Sequence, residues 1–283
     1  SSVALPFGVF ERVLKCNANK DAARHYNQLI EELQKDGHET LTALRETVLA
    51  VKAPMELPAT LHDVMNVAGL PWPDDWEKAW HRIKQVWASK WNERAFMSRR
   101  HMGIPHEHVF MAVLIQQVVP ADYAFVIHTV NPTNQNRNEL FAELVLGLGE
   151  TLVGNHPGRA LRVVCNKTSG HQTIQAYPNK STGLYGSGLI FRSDSNGEDL
   201  ASYAGAGLYD SVLLEPAQER ILDYSQDPLV WDEGFRRELI AGILRIGLEI
   251  ERQFDSPQDI EGVVARGKYY AVQTRPQVGV ERA

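Results

Sequence analysis

The residues best equipped for chemistry lie near the end of the chain. Asp259 and Glu261 stand two apart in Asp259-Ile260-Glu261-Gly262-Val263-Val264, as do Gln273 and Arg275 in Tyr269-Tyr270-Ala271-Val272-Gln273-Thr274-Arg275. Side chains alternate along a strand, so each pair shares one face. Two carboxylates and an amide oxygen make a hard-oxygen set suited to Mg²⁺, and a guanidinium beside them suits a phosphate. Phosphoryl transfer uses that combination, because its catalysis is mostly positioning and charge neutralisation. Whether the two faces coincide depends on the turn. A two-residue loop at Arg266-Gly267 pairs Glu261 with Val272 and turns Gln273 away. A three-residue loop, Ala265-Arg266-Gly267, pairs Asp259 with Gln273 and Glu261 with Ala271, with glycine in the left-handed position. All four polar residues then converge, while Ile260, Val264, Tyr270 and Val272 face the core. The apolar partition favours the three-residue loop. On spacing alone, a surface ladder of salt bridges accounts for the same residues equally well.

A second constellation is Phe191-Arg192-Ser193-Asp194-Ser195-Asn196-Gly197-Glu198-Asp199, followed by Tyr203-Ala204-Gly205-Ala206-Gly207. An apolar strand ending in arginine, then hydroxyls and glycines, suits a guanidinium reaching a polyphosphate ringed by backbone N–H groups. An ordinary Asp/Ser/Asn/Gly turn is the plainer account. Gly147-Leu148-Gly149-Glu150 is a weaker signal, since short Gly-x-Gly pieces are common. Cys16 and Cys165 form neither a CxxC pair nor a metal cluster and read as free thiols in a reducing compartment.

The elements that must position these residues divide the chain in two. Residues from about 6 to 104 read as helical. Asn19 is placed to cap a helix through Tyr26, Leu29, Ile30 and Leu33, with Gly37 as its stop. A second helix runs through Leu41, Leu44 and Val48, and a third segment carries Trp76, Trp80, Ile83, Trp87 and Trp91 mostly on one face. From about 108 the pattern turns to strands: 109–119 and 124–130, nearly all apolar, then 160–165, 171–176 and 188–192. A helix over 231–254 has Asp232 as its cap, and strands 258–264 and 268–274 close the chain. The expected fold class is α+β, with a helical part over 1–105 and a mixed sheet-rich core over 106–283.

Composition bounds the partners. The 283 residues are 43% hydrophobic and 23% charged, values of a globular chain with a sizeable core. A net charge of −6 argues against general binding to nucleic acid or anionic membrane. No stretch approaches about 18 uninterrupted apolar residues, so no membrane span is expected. The opening Ser1-Ser2-Val3-Ala4-Leu5-Pro6 lacks the look of a signal or transit peptide and suggests a piece cut from a longer chain.

Several segments together resemble the nucleotide-binding domain of α-glucan, water dikinases, related to those of pyruvate, phosphate dikinase and phosphoenolpyruvate synthase. They are 86–95 (VWASKWNERA), 111–116 (MAVLIQ), 122–129 (DYAFVIHT), 147–154 (GLGETLVG), 191–199, 204–212, 257–264 and 273–277 (QTRPQ). The resemblance covers nearly the whole chain. It implies an ATP-grasp-like two-lobed fold with ATP clamped between lobes, and Mg²⁺ as the metal. It implies a backbone hinge for adenine at Gln116, Gln117 and Val119, with Glu150 near the ribose. Arg192, with Ser193 and Asp194, and Arg275 would hold phosphates, and Asp259, Glu261 and Gln273 would bind or position the metal.

The same resemblance implies a chemistry that needs partners. The β-phosphate passes through a phosphohistidine, on a separate domain of the full-length enzyme, to a glucosyl unit of starch. The γ-phosphate goes to water, leaving AMP. It further implies a plastid location and allows a homodimer of the full-length enzyme. Three departures stand out. Arg192 follows the Met-Ala-Val strand, whereas the related dikinases carry their arginine-serine motif before it. The resemblance implies that the family's lysine-bearing segment belongs upstream of residue 1. The histidine-bearing segment is absent, and none of the ten histidines replaces it. His128, on an apolar strand, reads as a satisfied core residue, and the tryptophans as a packed lobe interface rather than a sugar platform.

Overall fold

The computed structural model describes residues 1–33, 37–153, 157–197 and 207–280. Two compact units emerge. One comprises Ser1–Val118 with Gly188–Pro216, the other Val119–Ser187 with Ala217–Ala283. The boundary therefore differs from the division expected at 105. The strand at 111–117 stays with the helices, and a later segment returns to complete their sheet.

The first unit begins with a strand that no alternation in the sequence announces, β1 (Ser2–Leu5). Helices α1 (Val9–Lys15), α2 (Lys20–Glu32), α3 (Gly37–Ala50), α4 (Leu57–Val67), α5 (Trp76–Ala88) and α6 (Glu93–His101) follow. Gly37 opens α3 rather than stopping α2. Asn19 sits at the N-cap of α2 but makes no capping bond. Its amide instead donates to the carbonyls of Val13 and Lys52 and accepts from Lys52 N–H, tying three segments together. Asp75 does cap α5, accepting from Lys78 N–H at 3.0 Å. The i, i+7 spacing of Trp80 and Trp87 puts both inside the core, with Trp91 on the turn beyond, each 1–2% exposed.

That core packs on one face of a sheet ordered β1-β2-β8-β9, with β2 (Met111–Gln117), β8 (Leu189–Ser195) and β9 (Val212–Leu213). Val3, Leu5, Val113, Ile115, Leu189 and Phe191 supply its buried face.

The second unit is built on a sheet ordered β12-β11-β3-β4-β5-β6. Its strands are β3 (Tyr123–His128), β4 (Glu139–Leu146), β5 (Leu161–Asn166), β6 (Gln172–Ala176), β11 (Gln258–Ala265) and β12 (Lys268–Pro276). A ribbon of β7 (Thr182–Tyr185) and β10 (Gln218–Ile221) and the one-turn helix α7 (Glu150–Val153) complete the described strands and turns. Helices α8 (Pro228–Trp231) and α9 (Glu233–Phe254) supply the cover; Asp232 caps α9 by accepting from Phe235 N–H. Leu239, Ile240 and Ile243 of α9 pack on Ile127, Leu140, Leu144, Val163 and Ile260. Burying such side chains contributes about 1.5–3 kcal/mol each. Apolar residues therefore occupy every second position on the α9 side, and the opposite face carries polar positions such as Asp259, Glu261 and Glu143 beside the apolar Ala124, Val145 and Val263.

Among the described residues, no helix is long and apolar enough to cross a membrane. The architecture is α+β.

Candidate functional site

The hairpin β11–β12 turns at Arg266-Gly267, with Ala265 opposite Lys268. Both turn residues have positive φ, 50° and 71°, the conformation of a tight two-residue turn. The expected three-residue loop is therefore corrected. The predicted convergence nevertheless appears, by another route. The register shifts between Glu261 and Gly262, so that Gly262 faces Ala271 but Glu261 faces Gln273 and Asp259 faces Arg275. Val272 is the extra residue of a β-bulge, which reverses the phase of β12 beyond it. The turn satisfies local backbone chemistry and the bulge satisfies the polar pattern; a single uninterrupted register satisfies only one of them.

The core assignments change accordingly. Tyr269, opposite Val264, packs against the α9 cluster, whereas Tyr270 is 39% exposed. Gly262 is required at the bulge, because a Cβ there would lie 2.2 Å from the Phe125 ring and 2.7 Å from the Tyr270 carbonyl.

Asp259, Glu261, Gln273 and Arg275 thus share the face of the sheet away from α9. Arg275 donates to Asp259 Oδ2 from Nε at 3.0 Å and from Nη2 at 2.7 Å, with both side chains largely buried. His128, opposite Asp259 on β3, brings Nδ1 to 3.6 Å from Asp259 Oδ1. This corrects the reading of His128 as a core residue: it lies half-buried on the polar face. Only its register could have signalled this, since His128 is two residues from Val126 and therefore shares the phase of Glu261 rather than of Ile260. Glu143 continues the row on β4 and pairs with Arg162 Nε at 2.7 Å.

Hard-oxygen chemistry fits Mg²⁺ here in part. Glu261 and Gln273 lie directly opposite, while one Asp259 oxygen is already engaged by Arg275. Among the described residues, no three His, Cys, Asp or Glu side chains gather as a metal cluster. Phosphate or water oxygens would have to complete a six-oxygen shell. A shallow groove between α9 and β12, lined by Gly242, Ile246, Ile250, Tyr269 and Ala271, contains none of the candidate residues.

The remaining candidates fall into smaller groups. In the first unit Arg192 lies opposite Leu114, Asp194 opposite Ala112, and Gln116 opposite Ile190. Alternation puts Arg192, Asp194 and Gln116 on the sheet face away from the helices. Ser193, opposite the fully buried Val113, takes the helix-covered face and so does not join them. Gln117 ends β2, and Val119 lies where the chain passes from the first unit to the second. Glu150 opens α7 after Gly147. That glycine has φ 86° and lies so close to the Leu184 carbonyl that a Cβ would meet it at 2.4 Å. Leu148 N–H donates to the same carbonyl and Leu184 N–H to Thr151 Oγ1, so the Gly-x-Gly segment is a joint to β7. The positions Gly154, Glu198, Asp199 and 203–206 lie outside the described residues.

Residues 8–167 match the family described as pyruvate phosphate dikinase, AMP/ATP-binding domain. An α-glucan water dikinase of Citrus reticulata, named chloroplastic, is 53% identical over 98% of this chain and 19% of that protein. A chloroplastic α-glucan water dikinase of Solanum tuberosum is 50% identical over 98% of this chain and 20% of its own length. More distantly, a rifampicin phosphotransferase of Bacillus subtilis is 27% identical over 86% of this chain and 24% of that protein. The chain thus spans about a fifth of the length of the dikinases it matches. The family match alone covers more than half of the chain, and the chain belongs to the pyruvate phosphate dikinase AMP/ATP-binding domain family.

Proposed function

We propose that this chain is the Mg·ATP-binding module of an α-glucan, water dikinase with an ATP-grasp-like fold. The observation that carries the reading is the shared face of Asp259, Glu261, Gln273 and Arg275. Bound Mg²⁺ would neutralise charge on the phosphate chain. Glu261 and Gln273 would hold that ion, Asp259 would fix the Arg275 fork, and Arg275 would meet phosphate oxygens. Gln116 and Arg192, on one face of the first unit's sheet, are the further nucleotide contacts proposed, with the backbone of Gln117 and Val119 for adenine and Glu150 for the ribose. Ser193 and Asp194 belong to the same proposed phosphate segment, Ser193 through its backbone.

In the whole enzyme, the β-phosphate would pass to a histidine on another domain and then to starch, with the γ-phosphate released to water and AMP left behind. The identity to water dikinases over nearly the whole chain supports this acceptor over pyruvate. The chloroplastic names of those relatives support a plastid location. A glucan-binding platform on the tryptophan-rich helical segment has little surface to offer. Trp80, Trp87 and Trp91 are buried, and Trp72 and Trp76 stack on each other at 5.5 Å, with His62 edge-on to Trp72.

Calorimetric titration of the chain with ATP, with and without Mg²⁺, tests the reading. Saturable, Mg²⁺-dependent binding that Glu261→Ala weakens is expected. Undetectable nucleotide binding in a folded chain would overturn it.

A further inference from the structure

The end of the hairpin that carries Asp259 and Arg275 is secured by an unusual partner. Pairing between β11 and β3 runs to Gln258: Thr129 N–H donates to the Gln258 carbonyl at 2.9 Å, and Gln258 N–H donates to Thr129 Oγ1 at 2.8 Å. The next residue, Pro257, has no N–H and cannot extend the ladder. The side chain of Gln277 takes over. Its Oε1 accepts from Val130 N–H at 3.0 Å, its Nε2 donates to the Val130 carbonyl at 2.8 Å, and its own N–H donates to the Pro257 carbonyl at 2.9 Å. A carboxamide offers a donor and an acceptor in one plane, so it can stand in for a peptide unit of a neighbouring strand.

Arg275 lies between this clamp and a second tie. Thr274 Oγ1 donates to Oε1 of the fully buried Gln258 at 2.9 Å. Pro276 fixes its own φ and restricts Arg275 to extended backbone. The direction of the guanidinium therefore depends on backbone anchored on both sides.

We infer that Gln277 is a positioning residue for Arg275, aiming its fork at Asp259 and at the phosphate it would hold. This rests on the reading of Arg275 as a phosphate-holding group, but its first test needs no nucleotide. Exchange of the Arg275 Nε–H proton, measured by NMR, reports the hydrogen bond to Asp259 directly. Gln277→Met keeps the volume and removes both contacts to Val130; Gln277→Glu keeps only the acceptor. Gln172→Met serves as control, because Gln172 Nε2 bonds the Arg237 carbonyl on the same unit, away from the hairpin.

Severalfold faster exchange at Arg275 in Gln277→Met, a smaller effect in Gln277→Glu and none in Gln172→Met are expected. Mg·ATP affinity should fall by about tenfold in Gln277→Met, as for lost outer-shell partners of ion sites. Unchanged exchange at Arg275 in folded Gln277→Met would overturn the inference, even with a lowered melting temperature, because the tie would then be structural only. Should Gln277→Met fail to fold, unchanged exchange in Gln277→Glu decides against it in the same way. Loss of Mg·ATP binding in the unmodified chain would sink the proposed function and leave the exchange result to judge Gln277.

Discussion

Arg275 and Asp259 face each other across the hairpin, and the guanidinium places two N–H groups, at 3.0 and 2.7 Å, on a single carboxylate oxygen. An acid expected to bind metal is thereby engaged first in holding a cation. The division of labour follows from geometry. Asp259 holds the fork, while Glu261 stands against Gln273 in the next row of the ladder, the pair proposed to hold the metal. A largely buried ion pair of this kind contributes more through what is lost when it is broken than through its own net energy.

Arg275→Ala should therefore damage both stability and binding. Removing the cation leaves a largely buried carboxylate without its partner, which costs about 2–3 kcal/mol given the residual exposure of the pair. Loss of the proposed charge-assisted bonds to phosphate should weaken Mg·ATP by about a hundredfold, and Arg275→Lys, which keeps the charge but not the fork, by about tenfold. Urea unfolding and calorimetry on the same samples check the two effects. Equal affinities for the lysine and arginine forms would rule out bidentate recognition.

The turn and the bulge predict changes of opposite sign. Arg266 holds φ 50°, and its N–H donates to Asp122 Oδ2. Arg266→Asn keeps that N–H and suits left-handed backbone, so it should stabilise by about 0.5–1 kcal/mol. Gly262→Ala drives a methyl group into the Phe125 ring and the Tyr270 carbonyl. Overpacking against backbone should destabilise by about 2–3 kcal/mol and disturb the phase of Gln273 and Arg275. Denaturation midpoints give the signs. A neutral Gly262→Ala would mean that the bulge does not sit against Phe125.

His128 predicts a pattern of rescue. Asparagine can place a polar atom where Nδ1 of the imidazole lies, 3.6 Å from Asp259 Oδ1, whereas phenylalanine fills the same space, 6.1 Å from the Phe141 ring, with carbon alone. Asp259 should keep its second contact in His128→Asn and lose it in His128→Phe. Mg·ATP affinity is expected within about twofold of the parent for asparagine and about fivefold weaker for phenylalanine, the lower range for groups that orient ion ligands. Calorimetry with both variants decides; equal losses would show that the ring packs without orienting Asp259.

Local chemistry was legible in the sequence, and long-range pairing was not. Asp232 announced the start of α9, and the tryptophan spacing announced a buried helical face, because both depend on neighbours within a turn or two. β4 offers no continuous apolar run, because Glu139 and Glu143 interrupt it; they are the open-face half of a strand whose Leu140, Ala142 and Leu144 are buried. β1 is four residues long and owes its existence to β2, more than a hundred positions away. The same limit governed the hairpin. Residue types indicated that the acids, amide and arginine belong together, but a bulge leaves no period in the sequence to count.

The first unit contains a histidine whose titration should be visible in stability. His106 Nδ1 accepts from Arg99 Nε at 3.3 Å, and its ring stacks on Phe96 at 5.0 Å. Burial first, then the positive charges of Arg99 and Lys90, lower its pKa from 6.5 to about 4. The unfolded chain therefore takes up a proton at this residue before the folded one does. The contribution is complete above pH 6.5 and is lost as pH falls from 6.5 towards 4, below which it changes no further. Allowing for solvent screening of a half-buried ring, about 2 kcal/mol should disappear across that window. His106→Gln retains an acceptor for Arg99 but does not titrate, so its unfolding free energy between pH 7 and pH 4.5 should fall less steeply than the parent's by that amount. Parallel pH profiles for the two proteins would show that the folded site accepts the proton as readily as the unfolded chain does.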